Sequence, residues 1–221
     1  MRLYNMKIVY AGQELPNVIN KSIFLAGPSL RPGQEKEMQS WRETAIKILE
    51  DKGFDGTVFN PEIKDFKFEK DFNYDDQIAW EEKHLKLCDC ILFWVPRDLS
   101  LDSNDMPKMA GLTTNVEFGF YADSGKVVFG APENADKISY LKLYAEKFNV
   151  AVADTLTETV QTAIDYLGVG AERSGGERYV PLFIWNTPSF QSWYSSQKEV
   201  GNRLDYADLL YSFRPKFKSF V

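Results

Sequence analysis

Three clusters of residues in this chain have the types and spacing to do chemistry on a small molecule. The first is Leu25-Ala26-Gly27-Pro28-Ser29-Leu30-Arg31, a β-rich run that ends in a glycine, a hydroxyl and a guanidinium. The glycine allows close backbone approach, and the two polar groups beyond it suit a sugar hydroxyl or a phosphate. A plain strand-to-helix turn has the same composition. The second is Gln77-Ile78-Ala79-Trp80-Glu81-Glu82-Lys83-His84-Leu85, read as helix. At about 100° per residue, Glu81 falls within roughly 60° of the direction shared by Ile78 and Leu85, which puts a carboxyl on or beside the stripe facing a sheet. Burial there raises a carboxyl pKa and suits it to general-acid work. Glu82 lies on the other flank of that stripe, so geometry alone does not choose between them, and solvated pairs such as Glu82 with Lys86 describe an ordinary helix equally well. The third is Gly111-Leu112-Thr113-Thr114-Asn115-Val116-Glu117-Phe118-Gly119-Phe120. Thr114-x-x-Glu117 has the form of a capping box. In the first turn of a helix at the mouth of a sheet, Glu117 would also be held ionised and aimed at a ligand, because the helix dipole favours negative charge there.

Other chemistry-bearing residues have plainer readings. Trp80 and Trp94 are candidates for stacking on a base and equally for core packing. Asn60, ahead of Pro61, either bonds a hydroxyl or caps a turn. His84 is the single histidine; without an HExxH pattern or Cys/His companions it points to neither a metal site nor a Ser-His-Asp triad, and reads as a surface helix residue. Cys88 and Cys90 flank Asp89 with no CxxC motif and read as buried small hydrophobes in a reducing compartment. Neither GxxxxGK[ST] nor GxGxxG occurs, so P-loop and Rossmann dinucleotide readings lack support, and no cofactor is expected.

The elements that must position these residues follow from the alternation of apolar runs and helix-period segments over residues 22–168. Strands are expected at Ile23-Phe24-Leu25-Ala26, Thr57-Val58-Phe59, Ile91-Leu92-Phe93-Trp94-Val95, Val127-Val128-Phe129 and Val150-Ala151-Val152, with helices near 34–52, 75–87, 114–124, 135–148 and 155–167. That pattern predicts an α/β fold: a flavodoxin-like doubly wound sheet of about five mostly parallel strands with helices on both faces. Its ligand site would lie outside the carboxyl ends of the strands at the switch point. Lys7-Ile8-Val9-Tyr10 reads as a further edge strand or hairpin. The expected division is 1–20 for that N-terminal strand, 21–170 for the main domain, and 171–221 for a small, irregular, aromatic-rich extension after the glycines at 168, 170, 175 and 176.

The 221 residues carry 26 Lys+Arg against 32 Asp+Glu, a net charge of −6 with no long basic run. That argues against nucleic-acid polymers as partners. No apolar stretch approaches a membrane span and the N-terminal residues do not resemble a signal peptide, so a cytoplasmic protein without a membrane partner is expected.

Taken in order, Phe24-Leu25-Ala26-Gly27-Pro28-Ser29, Gln77-Ile78-Ala79-Trp80-Glu81, Cys88-Asp89-Cys90-Ile91-Leu92-Phe93-Trp94-Val95-Pro96 and Gly111-Leu112-Thr113-Thr114-Asn115-Val116-Glu117-Phe118-Gly119 resemble the nucleoside 2-deoxyribosyltransferase family, in its 2-deoxyribosyltransferase-like branch. The resemblance implies a retaining N-glycoside mechanism. Glu117 would attack the anomeric carbon of a 2-deoxyribosyl unit, Glu81 would protonate the departing base, and Asp89 would orient this machinery or the sugar. Gly27, Pro28, Ser29, Arg31, Asn60, Trp80, Trp94 and Asn115 are the expected substrate-binding residues. Substrates would be a nucleoside or nucleotide and a free nucleobase, and the protein a homo-oligomer. A nucleoside 5′-monophosphate N-glycosidase and a non-catalytic module sensing a nucleotide or an ADP-ribose-type ligand are the alternatives. Gly111 stands where family members often carry an acidic residue. The stretch from Tyr179 to Pro188 is similar to the connector ahead of a Nudix hydrolase domain in some fused proteins, but no Nudix box follows and no Nudix catalysis is expected.

Overall fold

The computed structural model describes residues 6–16, 19, 21–30, 39–64 and 73–168, with the isolated positions 188, 192 and 196. Arg31, most of the expected extension at 171–221 and the Nudix-like connector except Pro188 lie outside the described residues.

Among the described residues the elements run β1 (Lys7–Tyr10), β2 (Ser22–Ala26), α1 (Trp41–Asp51), β3 (Thr57–Asn60), α2 (Tyr74–Leu87), β4 (Cys90–Trp94), β5 (Asp98–Leu101), β6 (Pro107–Met109), α3 (Leu112–Tyr121), β7 (Val127–Gly130), α4 (Ser139–Lys147), β8 (Ala151–Ala153) and α5 (Leu156–Leu167). Six strands form one sheet in the order β1-β3-β2-β4-β7-β8, and every pair in it is parallel. With β1 set aside, the order is the flavodoxin-like one, and the chain reverses direction across the sheet between β2 and β4. β1 is an edge strand in register with β3, Lys7 opposite Thr57, and not half of a hairpin.

The central strands are apolar along their whole length because helices cover both faces. Alternate residues divide between two cores. Phe24, Ala26, Ile91, Phe93 and Phe129 pack with Leu85, Phe118 and Leu141 from α2, α3 and α4. Ile23, Leu25, Cys90, Leu92 and Val128 pack with Trp41, Ala45, Leu49, Val160 and Ala163 from α1 and α5. No helix among the described residues is long and apolar enough to cross a membrane.

Several boundaries differ from the sequence reading. α1 begins at Trp41, capped by the Ser40 side chain, which accepts from Arg42 N–H; the hydroxyl terminates a helix that periodicity alone extends back to residue 34. α4 begins at Ser139. α3 begins at Leu112, capped by the left-handed Gly111 without a side-chain cap bond, and a 3-10 turn over Ala122–Ser124 follows it. Thr114 is therefore a buried residue inside the helix, and the expected capping box does not form. The antiparallel pair β5–β6 was not expected. Its turn is built on Asp102, whose Oδ1 accepts from Asn104 and Met106 N–H at 2.8 and 3.1 Å, a side-chain turn mimic that short polar strands obscure.

The inward face of α2 also differs. Ile78 is 39% exposed and His84 only 1%, so the buried stripe runs through Gln77, Trp80, Glu81, His84 and Leu85. His84 is thus not a surface residue. Its ring stacks on Trp80 with centroids 3.8 Å apart and meets Phe59 edge-on at 4.9 Å. Its Nδ1 lies 2.6 Å from the Trp80 carbonyl, which makes Nδ1 the protonated nitrogen. Its Nε2 is buried with no hydrogen-bond partner among the described residues. Both cysteines are free and buried, as expected for packing residues.

Candidate active site

The carboxyl ends of β2 and β4 are where the topology leaves a crevice, and the local sequence keeps it open. Gly27 follows β2 with φ 148°, and a Cβ there would lie 2.1 Å from the Trp94 carbonyl oxygen. Only glycine lets the chain pass so close to the end of β4. Gly111, at φ 59°, backs onto Pro28, where an added Cβ would lie 2.7 Å from the ring. The first and third sequence clusters therefore touch through Gly111 and Pro28.

Between them lies a cavity of about 270 Å³ whose walls include Gly27, Pro28, Ser29, Arg42, Glu81, Lys108 and Glu117. Glu81 reaches it from the middle of α2. The Gln77 amide, one turn earlier, donates to the Pro61 carbonyl and to Glu81 Oε1 at 2.8 and 2.7 Å, and so aims the carboxyl. Glu82 faces away, exposed, and pairs with Lys86 at 3.6 Å. Glu117 enters from the second turn of α3, which Phe118 anchors edge-to-face on Phe93 at 5.3 Å. Lys108 of β6 lines the cavity from the hairpin side.

Burial, opposed by the Gln77 bond and the Arg42 charge, holds the Glu81 carboxyl above its ordinary range. Burial and then the Glu81 charge push Glu117 up to about 7, with Arg42 opposing. The expectation that a helix N-terminus keeps Glu117 ionised is corrected here. Because α3 starts at Leu112, Glu117 lies beyond the first turn, where the dipole has decayed, and desolvation outweighs it. Two carboxyls of raised pKa in one cavity share a proton at intermediate pH, and the proton belongs to the pair rather than to either group.

This cavity lies inside a segment that matches a known protein family. Residues 20–135 match the model of a family described as nucleoside 2-deoxyribosyltransferase like, and every residue lining the cavity falls within them. The chain belongs to that family. No curated protein compared with the chain matches it. Membership supports a nucleoside-modifying kind of function with small-molecule nucleoside substrates.

Of the residues expected from the sequence, the structure brings Gly27, Pro28, Ser29, Glu81 and Glu117 together. It does not bring Asp89 to them. That residue precedes β4 at the amino end of the sheet, where its Oδ2 accepts from the Ser22 N–H and hydroxyl at 2.8 and 2.9 Å. Asn60 turns back to accept from Glu62 N–H at 3.0 Å. Trp94 is buried in the core on the α1 and α5 side, and Trp80 packs on His84 and Phe24. Asn115 is exposed and accepts from Arg97.

The nucleoside 2-deoxyribosyltransferase-like motifs do not single out Arg42, Glu62 or Lys108, and the sequence reading missed all three. Arg42 is 1% exposed, and only its position two residues after the Ser40 cap of α1, beyond the glycine loop, hinted at it.

Proposed function

We propose that the chain cleaves or exchanges the N-glycosidic bond of 2′-deoxynucleosides, with Glu117 as nucleophile and Glu81 as acid. One observation carries the reading: two carboxyls of raised pKa, on separate helices, line one cavity at the carboxyl ends of a parallel sheet. A Glu117 carboxylate oxygen forms a bond to C1′ as the bond from C1′ to the base nitrogen breaks, and the proton of Glu81 passes to the departing base. In the second half, a nitrogen of another base, or water, forms a bond to C1′ as the bond from C1′ to the Glu117 oxygen breaks, and Glu81 takes up the incoming group's proton. A pair holding a single proton is the form this sequence starts from, and Gln77 keeps Glu81 aimed for both transfers. In the same proposal residues 21–170 are the catalytic unit of a cytoplasmic homo-oligomer, with residues 171–221 as a separate extension. Its partners are free nucleosides and nucleobases rather than nucleic-acid polymers or membranes.

A second reading, hydrolysis of nucleoside 5′-monophosphates, draws on one observation: the Lys108 amine and the Ser29 hydroxyl line the same cavity and could receive a phosphate. Chromatography of the protein with each 2′-deoxynucleoside, alone and with a second base, and with the monophosphates, tests both. Base exchange that disappears in Glu117→Gln supports the transferase. Release without exchange supports a hydrolase, and faster release from monophosphates favours the second reading. Ligand binding with no turnover in any mixture overturns both and leaves a nucleotide-sensing module.

A further inference from the structure

We propose that Arg42 and Glu62 are positioning residues for this site: the buried pair holds the loop at residues 27–29 and sets the electric field under which Glu81 and Glu117 share a proton. This proposal rests on reading Glu81 and Glu117 as the reacting pair.

The geometry is that of a cation used mainly on neutral acceptors. Arg42 Nε donates to the Leu25 carbonyl at 2.9 Å, and its terminal nitrogens donate to Gly27 O at 2.6 Å, Pro28 O at 3.2 Å and Ser29 Oγ at 3.0 Å. One carbonyl from the end of β2 and two from the loop thus converge on one planar fork, an arrangement that the ammonium of lysine cannot reproduce. A single bond joins Arg42 to a carboxylate, Glu62 Oε1 at 3.1 Å. Both Glu62 oxygens also accept from the Ser40 hydroxyl at 2.8 Å, so Glu62 divides its charge between two partners. The guanidinium is only partly neutralised, and it borders the cavity.

Its field acts on both carboxyls: the Arg42 charge opposes burial at Glu81 and at Glu117. Among the described residues the other charged groups around the pair are few. Lys108 lines the cavity from β6. Arg97 donates to Gly111 O and Asn115 at the start of α3. Glu82 and Lys83 lie on the exposed side of α2, and the loop at residues 27–29 contributes no charge. Among the described residues Arg42 is the cation whose charge acts on both acids, and Glu62 is the carboxylate bonded to it.

Opposite signs follow. Removing the negative charge of Glu62 strengthens the Arg42 field and lowers both titrations. Removing the positive charge of Arg42 raises them. A cavity that was merely loosened would gain water and move both titrations downward whichever residue was changed.

The test is carboxyl 13C NMR of the ligand-free full chain, with Glu81 and Glu117 assigned through E81Q and E117Q. In E62Q both midpoints should fall by about half a pH unit or more, in E62D they should stay near the parent, and in R42Q they should rise. If R42Q does not fold, the comparison of E62Q with E62D decides. Unchanged midpoints in E62Q, or an equal fall in E62D, overturn the proposal, because a shortened carboxylate disturbs packing at least as much while keeping its charge. The titration needs no substrate. Midpoints that move as stated beside a protein that releases no base would sink the proposed reaction and leave this inference standing.

Discussion

Glu81 and Glu117 reach one cavity from two different helices, and after burial the charge of Glu81 is the largest influence raising the Glu117 carboxyl, to about 7. Neither helix would place its acid there alone. Gln77, itself tied to the Pro61 carbonyl, donates to Glu81 and holds it in place, and Phe118, the residue after Glu117, locks α3 onto Phe93 and Phe129.

Replacing Glu117, the proposed nucleophile, should stabilise the protein while silencing it. The value of Glu117 in the folded protein, about 7, lies above its ordinary 4.5, so the native state holds this proton more tightly than the unfolded chain does. The stability this contributes is complete below about 4.5 and is lost as pH rises through about 7. Glu117→Gln carries no charge at any pH. It should exceed the parent by about 3 kcal/mol at pH 8, match it near pH 4, and release no base. Urea unfolding at both pH values, beside the chromatographic assay, checks all three; a Glu117→Gln protein less stable than the parent at pH 8 would show that Glu117 is not strained by its site.

Glu81 and Glu82 should separate by leaving group. If Glu81 supplies the proton, Glu81→Gln should slow release of poor leaving bases by about 10²–10⁴-fold, the range of general-acid catalysis. It should leave a nucleoside with a strongly activated leaving group much less affected. Glu82→Gln, which removes an exposed pair at 3.6 Å, should change stability by no more than about 0.5 kcal/mol and leave both rates near the parent. Equal slowing of good and poor leaving groups in Glu81→Gln would mean that Glu81 only binds.

The parts of this site legible in the sequence were those where one residue type serves one local purpose. Gly27 is such a case, because the close pass under Trp94 admits no side chain. The strands β2, β3, β4, β7 and β8 were legible as short apolar runs alternating with helix-period segments. Glu81 was found although the stripe was drawn through the wrong neighbour: Ile78 is exposed and His84 is inside, because Phe59 and Trp80 give an aromatic ring a place to stack. What stayed hidden depends on long-range partners. Arg42 looks like an ordinary charged helix residue until the carbonyls of Leu25, Gly27 and Pro28 turn toward it. The capping-box pattern at Thr114 misled because Gly111, free to adopt φ 59°, starts the helix earlier.

Asp89 provides the opposite kind of test, a motif residue whose contacts are structural. Its Oδ2 accepts two bonds from Ser22 and ties the amino ends of β2 and β4, across the sheet from the cavity. Asp89→Asn keeps the shape but puts an amide where a buried acceptor is needed, and should cost about 2–3 kcal/mol of stability. The folded fraction should keep the kcat of the parent. A kcat loss of 100-fold or more in stable Asp89→Asn protein would return Asp89 to the reaction.

His84 supplies a slope of opposite sign to that of Glu117, and the two hide each other in the parent. Burial lowers its pKa from 6.5 to about 4. Nδ1 already donates to the Trp80 carbonyl, so an added proton would have to sit on Nε2, which is buried without a partner among the described residues. A depressed histidine binds fewer protons folded than unfolded, so the stability it contributes is present above about 6.5 and is lost as pH falls through about 4. Glu117 loses stability in the other direction across an overlapping window. Measured as differences from the parent at each pH, Glu117→Gln should therefore gain stability as pH rises from 5 to 7 and His84→Phe should lose it, the phenyl ring keeping the stack on Trp80 while carrying no proton. The double variant should return to a nearly flat profile, since His84 is on α2 and Glu117 on α3 and no hydrogen bond among the described residues joins them. Urea midpoints at five pH values decide it: parallel, flat difference curves for both single variants would mean that neither group titrates in the folded protein as its surroundings require.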